Sequence, residues 1–331
     1  MEQAPLFADL QPIHPTTRDV ARLVKDGGVD ALPGAVRRGD DATYQEIRCR
    51  SALNRVRGMP FKWTLNPYRG CTHGCHYCFA RRYQSQLALD AGDQFASLIF
   101  VKTNFVERLA HELDRPTWKR ELVALGTATD PYQPIEGSYR LSRGVLERLA
   151  LAANPVGIVT KGPLIVRDRD VLQDLGARAE CRVYISVPTV DEEAWRRLEP
   201  GTAHPLQRLR AVRELVDAGI DAGVLMAPIV PGLTSQPAKL ERTVKAIAES
   251  GARSVGAMVM HLEAGTRDHF MGFLAREFPE LADRYGHLYA AKHAPAAYVK
   301  RVQEMVGVLK ARYGLPVINR RRGSGDAESP R

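Results

Sequence analysis

Asn66-Pro67-Tyr68-Arg69-Gly70-Cys71-Thr72-His73-Gly74-Cys75-His76-Tyr77-Cys78-Phe79 holds three of the five cysteines of the chain, spaced C-x3-C-x2-C. Thiolates gathered on one short loop select soft metal centres, chiefly iron–sulfur clusters and zinc. Gly70 and Gly74 let such a loop wrap, because glycine reaches backbone conformations that other residues resist. Three ligands matter more than four would: a four-iron cluster held by Cys71, Cys75 and Cys78 keeps one iron free for a substrate or cofactor. The competing arrangement is zinc on the three cysteines with His73 or His76. No second C-x2-C or H-x3-H pair supplies a fourth zinc ligand at the usual spacing. His73 and His76 read better as neighbours of the centre or as surface residues.

Outside the loop, an apolar fraction of 44% with 7% aromatics fits a globular chain of 331 residues, enough for one large domain with additions or two modest ones. No apolar run approaches the roughly 20 residues of a membrane span. Residues 1–10 have no signal-peptide layout. An odd number of cysteines, three of them clustered, argues for metal ligation in a reducing cytoplasm over a disulfide framework. The net charge of +9 suggests an anionic partner, nucleic acid being the commonest.

From residue 61 onward, strand patterns that end in polar or glycine-rich residues alternate with helical ones. Extended runs fall at 61–66, 97–102, 122–127, 156–160, 181–187, 222–230 and 254–261. Helical spacing covers 105–113, 143–153, 168–175, 206–218 and 240–250, then 267–277, 280–291 and 298–313. In the last of these, Val302, Met305, Val306 and Leu309 form a packing face. Alternation of this kind builds βαβ units around a parallel sheet. The expected fold is α/β, a partial (β/α)6 barrel of parallel strands with its working residues at the C-terminal strand ends. Four segments follow: an N-terminal extension at 1–58, the barrel at 59–266, a helical segment at 267–315 and a disordered basic tail at 316–331. Within the extension, Thr16 to Asp19 caps a short helix ended by Gly27-Gly28, and Gly39-Asp40-Asp41 is a turn. Tyr44 to Leu53 reads as extended or helical.

The cysteine spacing, with Tyr77 just before the third cysteine, resembles the radical S-adenosylmethionine (SAM) superfamily. That resemblance implies a [4Fe–4S] cluster whose open iron chelates SAM. The reduced cluster cleaves SAM, and the 5′-deoxyadenosyl radical so formed takes a hydrogen from the substrate. It also implies an electron donor such as flavodoxin or ferredoxin. Tyr77 would then lie beside the adenine. Thr129 and Asp130, in Gly126-Thr127-Ala128-Thr129-Asp130-Pro131, stand where the superfamily often carries a Gly-Gly-Glu segment that accepts from the SAM ammonium, although the glycine pair is absent here.

Lys161, Ser186, Leu198-Glu199-Pro200-Gly201-Thr202 and Ala227-Pro228-Ile229-Val230-Pro231-Gly232 resemble one branch, spore photoproduct lyase and its uncharacterised relatives. There the matching lysine and serine hold the SAM carboxylate and ribose region, a role suited to an ammonium and a hydroxyl. The likeness covers residues 60–262. Ser51 to Asn54 with Met59 to Trp63 looks like the relatives whose substrate is unknown. In the lyase a cysteine precedes a Thr-Ser-Asp triplet after the second strand and returns a hydrogen atom to the product radical; Thr127 stands in that place here. Cys49 could serve instead only if the N-terminal segment folds over the barrel mouth. Cys181 begins the strand that Ser186 nearly ends, on the order of 16 Å lower. The reading from a different class is a metal- or cluster-containing nucleic-acid-binding protein without SAM chemistry.

Overall fold

The computed structural model describes residues 15–28, 36–37 and 42–316. The proposed turn at Gly39 to Asp41 and residues 317–331 of the tail lie outside the described residues. In chain order the strands are β1 (Val36–Arg37), β2 (Thr43–Ile47), β3 (Asn54–Arg55), β4 (Trp63–Leu65), β5 (Tyr68–Arg69), β6 (Leu98–Lys102), β7 (Val123–Leu125), β8 (Val156–Thr160), β9 (Cys181–Ser186), β10 (Asp221–Ile229) and β11 (Val255–Val259).

Six of them, β4, β7, β8, β9, β10 and β11, lie side by side in sequence order and run parallel. β3 adds an antiparallel edge beside β4. The sheet is an open partial barrel. Runs such as Val156-Gly-Ile-Val-Thr160 and Cys181-Arg-Val-Tyr-Ile-Ser186 alternate buried and partly exposed residues, the period-two pattern of strands. Between them come helices Leu141–Leu151, Arg169–Arg178, Pro205–Asp217 and Pro237–Glu249. Their apolar faces, including Leu146, Leu175, Val212 and Val244, join Ile158, Val183 and Val224 in one core. Helix Ala296–Arg312 closes the end of the sheet, burying Val302, Val306 and Leu309 as its periodicity predicts, while Lys310 Nζ donates to the Val255 carbonyl at 2.7 Å.

Two expectations change. The run at 97–102 is extended but belongs to a second sheet, of order β1-β2-β6-β5. Leu98, Ile99, Phe100 and Val101 are all buried there because both faces are covered. Leu98 and Phe100 pack with Val20 and Ile47, while Ile99 and Val101 pack with Tyr44 and Tyr68. The segment read as an extension is therefore built into the body of the protein. β2 pairs in parallel with β6 over five residue pairs. The Asn104 side chain accepts from Cys49 N at 2.8 Å and donates to Cys49 O at 3.0 Å. Glu112 accepts from Leu53 N at 2.7 Å and Ala52 N at 3.1 Å. Helix Thr17–Gly27 starts as expected, with Thr16 and Asp19 forming a reciprocal capping box. Among the described residues no helix is long and apolar enough to cross a membrane.

Candidate active site

The cysteine loop leaves β5 through Gly70 and turns again at Gly74, with φ of 78° and 61°. A Cβ on Gly70 would lie 2.5 Å from the Leu98 carbonyl oxygen, so only glycine fits there. Cys71 and Cys75 are buried and Cys78 half-buried. All three line one cavity of about 220 Å³ at the C-terminal ends of the parallel strands. Burial pushes each thiol above its ordinary range, Cys75 to about 12, and for Cys71 and Cys75 neighbouring cysteines act in the same direction. Such thiols keep their protons until a metal displaces them.

Beneath the loop, the guanidinium of Arg81 is 2% exposed and donates to the carbonyls of Cys75 (3.0 Å), Gly74 (2.6 Å), Ala91 (2.9 Å) and Gly92 (2.7 Å). It pins the loop and places a positive charge under a centre whose ligands bind as anions. Three convergent thiols, a buried cation and open space above them suit a [4Fe–4S] cluster. The zinc arrangement is not built. His73 Nδ1 faces Asp130 Oδ2 at 3.3 Å, and His76 stacks on Phe273 and meets His269 at 3.1 Å. Among the described residues no three His, Cys, Asp or Glu side chains are placed to hold a single metal ion.

Register assembles the opposite wall. Thr160 pairs with Ile185 across β8 and β9, so the next residues, Lys161 and Ser186, emerge at one level. Lys161 Nζ donates to Ser186 Oγ at 2.9 Å, lies 3.7 Å from Glu199 Oε1 and sits 5.6 Å from the centre of the Tyr77 ring. Burial alone would lower the Lys161 pKa; Glu199 and Cys75 outweigh it and hold the ammonium above its usual value. The Tyr77 hydroxyl donates to Glu199. Arg208, 0% exposed, donates to Glu199 Oε2 at 2.5 Å and to the Ser186 carbonyl at 2.7 Å. The turn carrying Glu199 is hydrogen-bonded to the cysteine loop, His76 N to Leu198 O and Gly201 N to His73 O, each at 3.1 Å. Cysteine loop and cation wall are thus tied together by backbone hydrogen bonds.

Every residue given a metal- or SAM-binding role by the resemblance lines this cavity: the three cysteines, Tyr77, Thr129, Asp130, Lys161 and Ser186. Their engagements differ. Asp130 accepts from Thr160 Oγ1 (2.5 Å), Tyr132 N (2.9 Å) and Lys161 N (2.6 Å), with His73 on its other side. Burial works against its charge, but His73 and these donors hold its pKa down to about 2. Thr129 donates to Gly70 O at 2.6 Å and accepts from the buried Gln133 at 3.0 Å. Both side chains therefore already brace the strand end against the cysteine loop. Cys181 sits at the far end of β9 from Ser186, as its position predicts. Arg196 is exposed and pairs with Glu192 at 2.6 Å, away from the Glu199 network.

The fold and this site define a radical SAM enzyme. The chain belongs to the radical SAM superfamily, whose family model matches residues 65–245. Enzymes of this class use a [4Fe–4S] cluster and SAM and need a reductant. An uncharacterised protein of Mycobacterium tuberculosis (strain ATCC 25618 / H37Rv) is 40% identical over 306 residues, 88% of this chain and 89% of its own length. A radical SAM Nalpha-GlyT isomerase of Pseudomonas phage M6 is 25% identical over 173 residues, covering 51% of this chain and 33% of that protein. Among solved structures, a mutant of spore photoproduct lyase with bound AdoMet and dinucleoside spore photoproduct superposes with a TM-score of 0.66 at 14% identity, over 86% of both chains. That is a likeness of fold.

Proposed function

We propose that Cys71, Cys75 and Cys78 hold a [4Fe–4S] cluster and that Tyr77, Lys161 and Ser186 hold SAM against it. The substrate is anionic, and nucleic acid is the class that the net charge of +9 favours. When bound, the cluster supplies the electron that cleaves SAM to a 5′-deoxyadenosyl radical, which takes a hydrogen from the substrate. The observation that carries this reading is the convergence of residues from four separate strand ends on one cavity, thiols on one side and a lysine–serine pair on the other. The ammonium of Lys161 suits the SAM carboxylate, Ser186 offers a hydroxyl to the ribose, and the Tyr77 ring gives the adenine a flat neighbour. Asp130 and Thr129 keep this frame fixed. Flavodoxin or ferredoxin suits the reductant's role.

The test is to reduce the anaerobically purified, brown protein with SAM present and to measure 5′-deoxyadenosine. A full cluster content with none formed would overturn the reading. Lys161→Ala and Ser186→Ala are expected to leave the cluster in place and weaken SAM binding. A lost charge-assisted hydrogen bond costs about 1.5–3 kcal/mol, roughly a 10- to 150-fold rise in Kd. Equilibrium dialysis against labelled SAM checks this, and parent-like binding by both variants would remove them from the cofactor wall.

The chain is not expected to repair spore photoproduct. An O–H bond is a poor hydrogen-atom donor beside an S–H bond, and Thr127 is the residue at the lyase's cysteine position. Cys49 does come to this side of the protein, but it lines the neighbouring cleft and not the cofactor cavity. Assayed with dinucleotide spore photoproduct, the reduced protein should return no thymine; catalytic return would place a working thiol in the site after all.

A further inference from the structure

A second cleft, of about 790 Å³, adjoins the cofactor cavity and shares Ala80, Phe95, Thr127 and Ala128 with it. Its wall carries Arg18, Arg48, Arg50, Arg55, Arg69 and Lys102 and no aspartate or glutamate among the described residues. The N-terminal segment supplies four of the six: the bridge between Thr16 and Arg48 brings Arg18 beside Arg48, and β3 presents Arg55. None of these four makes an ion pair among the described residues. The carboxylates within electrostatic reach of them, Asp19 for Arg50 and Glu121 for Arg55, make their hydrogen bonds to other side chains. Asp19 accepts from Thr16 at 2.6 Å and pairs with Arg22 at 3.6 Å; Glu121 accepts from Lys62 (2.6 Å) and Trp63 (2.7 Å).

Deeper in the cleft, among the described residues, the Lys102 ammonium donates to the Asn66 carbonyl, at 2.6 Å, and Arg69 to the Tyr83 carbonyl and the glutamines Gln84 and Gln86. Burial without a carboxylate partner lowers the Lys102 pKa to about 8. Six like charges around one concavity raise one another's energy, and an anion in the concavity relieves that cost. The space is that of a small-molecule or cofactor site, and the partly exposed Tyr83 adds aromatic surface of the kind on which bases stack.

We propose that this cleft binds the phosphates of the substrate, a nucleoside phosphate either free or within a strand, and presents the adjoining part to the cofactor cavity across the shared residues. The proposal rests on the radical SAM reading only for what happens on the far side of that seam. Phosphate recognition by arginine and lysine is charge-assisted and salt-dependent.

The experiment uses the full chain with its cluster, kept anaerobic, and follows fluorescence anisotropy of a short labelled single-stranded oligonucleotide and of a labelled mononucleotide across a salt series. The parent should bind with log K falling by about 0.7 per phosphate contact per decade of salt. The triple variant Arg48→Gln, Arg50→Gln, Arg55→Gln should bind roughly ten- to a hundred-fold more weakly at low salt, with a shallower slope. Arg18→Gln, a single change on an exposed helical residue, should show the same direction on a smaller scale and guards against misfolding of the triple variant. Tight oligonucleotide with weak mononucleotide binding assigns a strand; comparable binding of both assigns a free nucleotide. Salt-independent binding, parent-like binding by both variants, or no binding of either probe would overturn the proposal. SAM binding and 5′-deoxyadenosine formation on the same samples report on the cofactor cavity, so failure there with probe binding intact would strike the proposed function and leave the cleft standing.

Discussion

Cys75→Ala is expected to lose the cluster and, with it, all SAM cleavage, and the same holds for Cys71→Ala and Cys78→Ala. Cys75 is the middle cysteine of the C-x3-C-x2-C loop and buried in the cavity wall, with Lys161, Glu199 and Cys78 as its electrostatic neighbours. Among the described residues, no other cysteine lines the cavity to replace it. His73 and His76 are each engaged elsewhere, so neither is free to rescue the missing ligand. Two thiolates cannot retain a four-iron cluster against loss to solvent, whereas a peripheral cysteine has no such leverage. Cys49→Ala and Cys181→Ala should therefore keep parent-like iron, sulfide and colour. Iron and sulfide analysis after anaerobic reconstitution decides it: near-parent content in Cys75→Ala would remove the loop from cluster ligation. The effect on activity is all-or-none because the electron has no other route to SAM.

The parts of this site legible in the sequence are those whose residue type has few other uses. Three thiols in eight positions have no packing explanation, and a lysine and a serine at the ends of adjacent strands follow from pairing β8 with β9 in register. The parallel sheet was legible for a similar reason, since Val156 to Thr160 and Cys181 to Ser186 carry a strand period between helices of clear period. The second sheet was not. Thr43–Ile47 mixes polar and apolar residues, and what makes it a strand is its partner β6, 55 residues away along the chain. Arg208 was hidden more thoroughly. In helix Pro205–Asp217 an arginine ordinarily reads as the solvent face, and nothing local says that its guanidinium turns inward. Glu199 left a trace only through the Leu-Glu-Pro-Gly-Thr likeness. Gln133 left none, yet it bridges Thr72 N at 3.1 Å and Thr129, tying two loops that approach only in the folded protein. The basic cleft depends equally on tertiary contacts: its arginines are scattered over residues 18 to 69, and the sheet and helix cap gather them.

Arg208→Ala is expected to destabilise the folded protein by about 3–5 kcal/mol, because removing one partner of a buried pair leaves the other charge uncompensated. Arg208 and Glu199 are 0% and 2% exposed, and their contact at 2.5 Å is buried away from bulk solvent. Lys161, 3.7 Å from the other Glu199 oxygen, would remain as a weaker counter-charge. The pH dependence separates this account from a simple cavity. In the parent, burial works to raise the Glu199 pKa, but Arg208 and Lys161 prevail and hold it below its usual value. Its ionised form therefore adds stability above the unfolded carboxyl's pKa of about 4.3, and that stability is lost as pH falls through the lower folded value. Without Arg208 the balance reverses: burial dominates, the folded carboxyl takes up a proton more readily than the unfolded one, and acid favours the folded variant. The stability gap between parent and Arg208→Ala should accordingly narrow between about pH 7 and about pH 5. Denaturant unfolding of the cluster-free protein at both pH values measures it. Arg208→Ala/Glu199→Ala should recover part of the loss, since the stranded charge is gone, and a double-mutant cycle gives the coupling directly. A gap that stays constant with pH, or a double variant no more stable than Arg208→Ala, would mean that Arg208 contributes by packing and its bond to the Ser186 carbonyl alone.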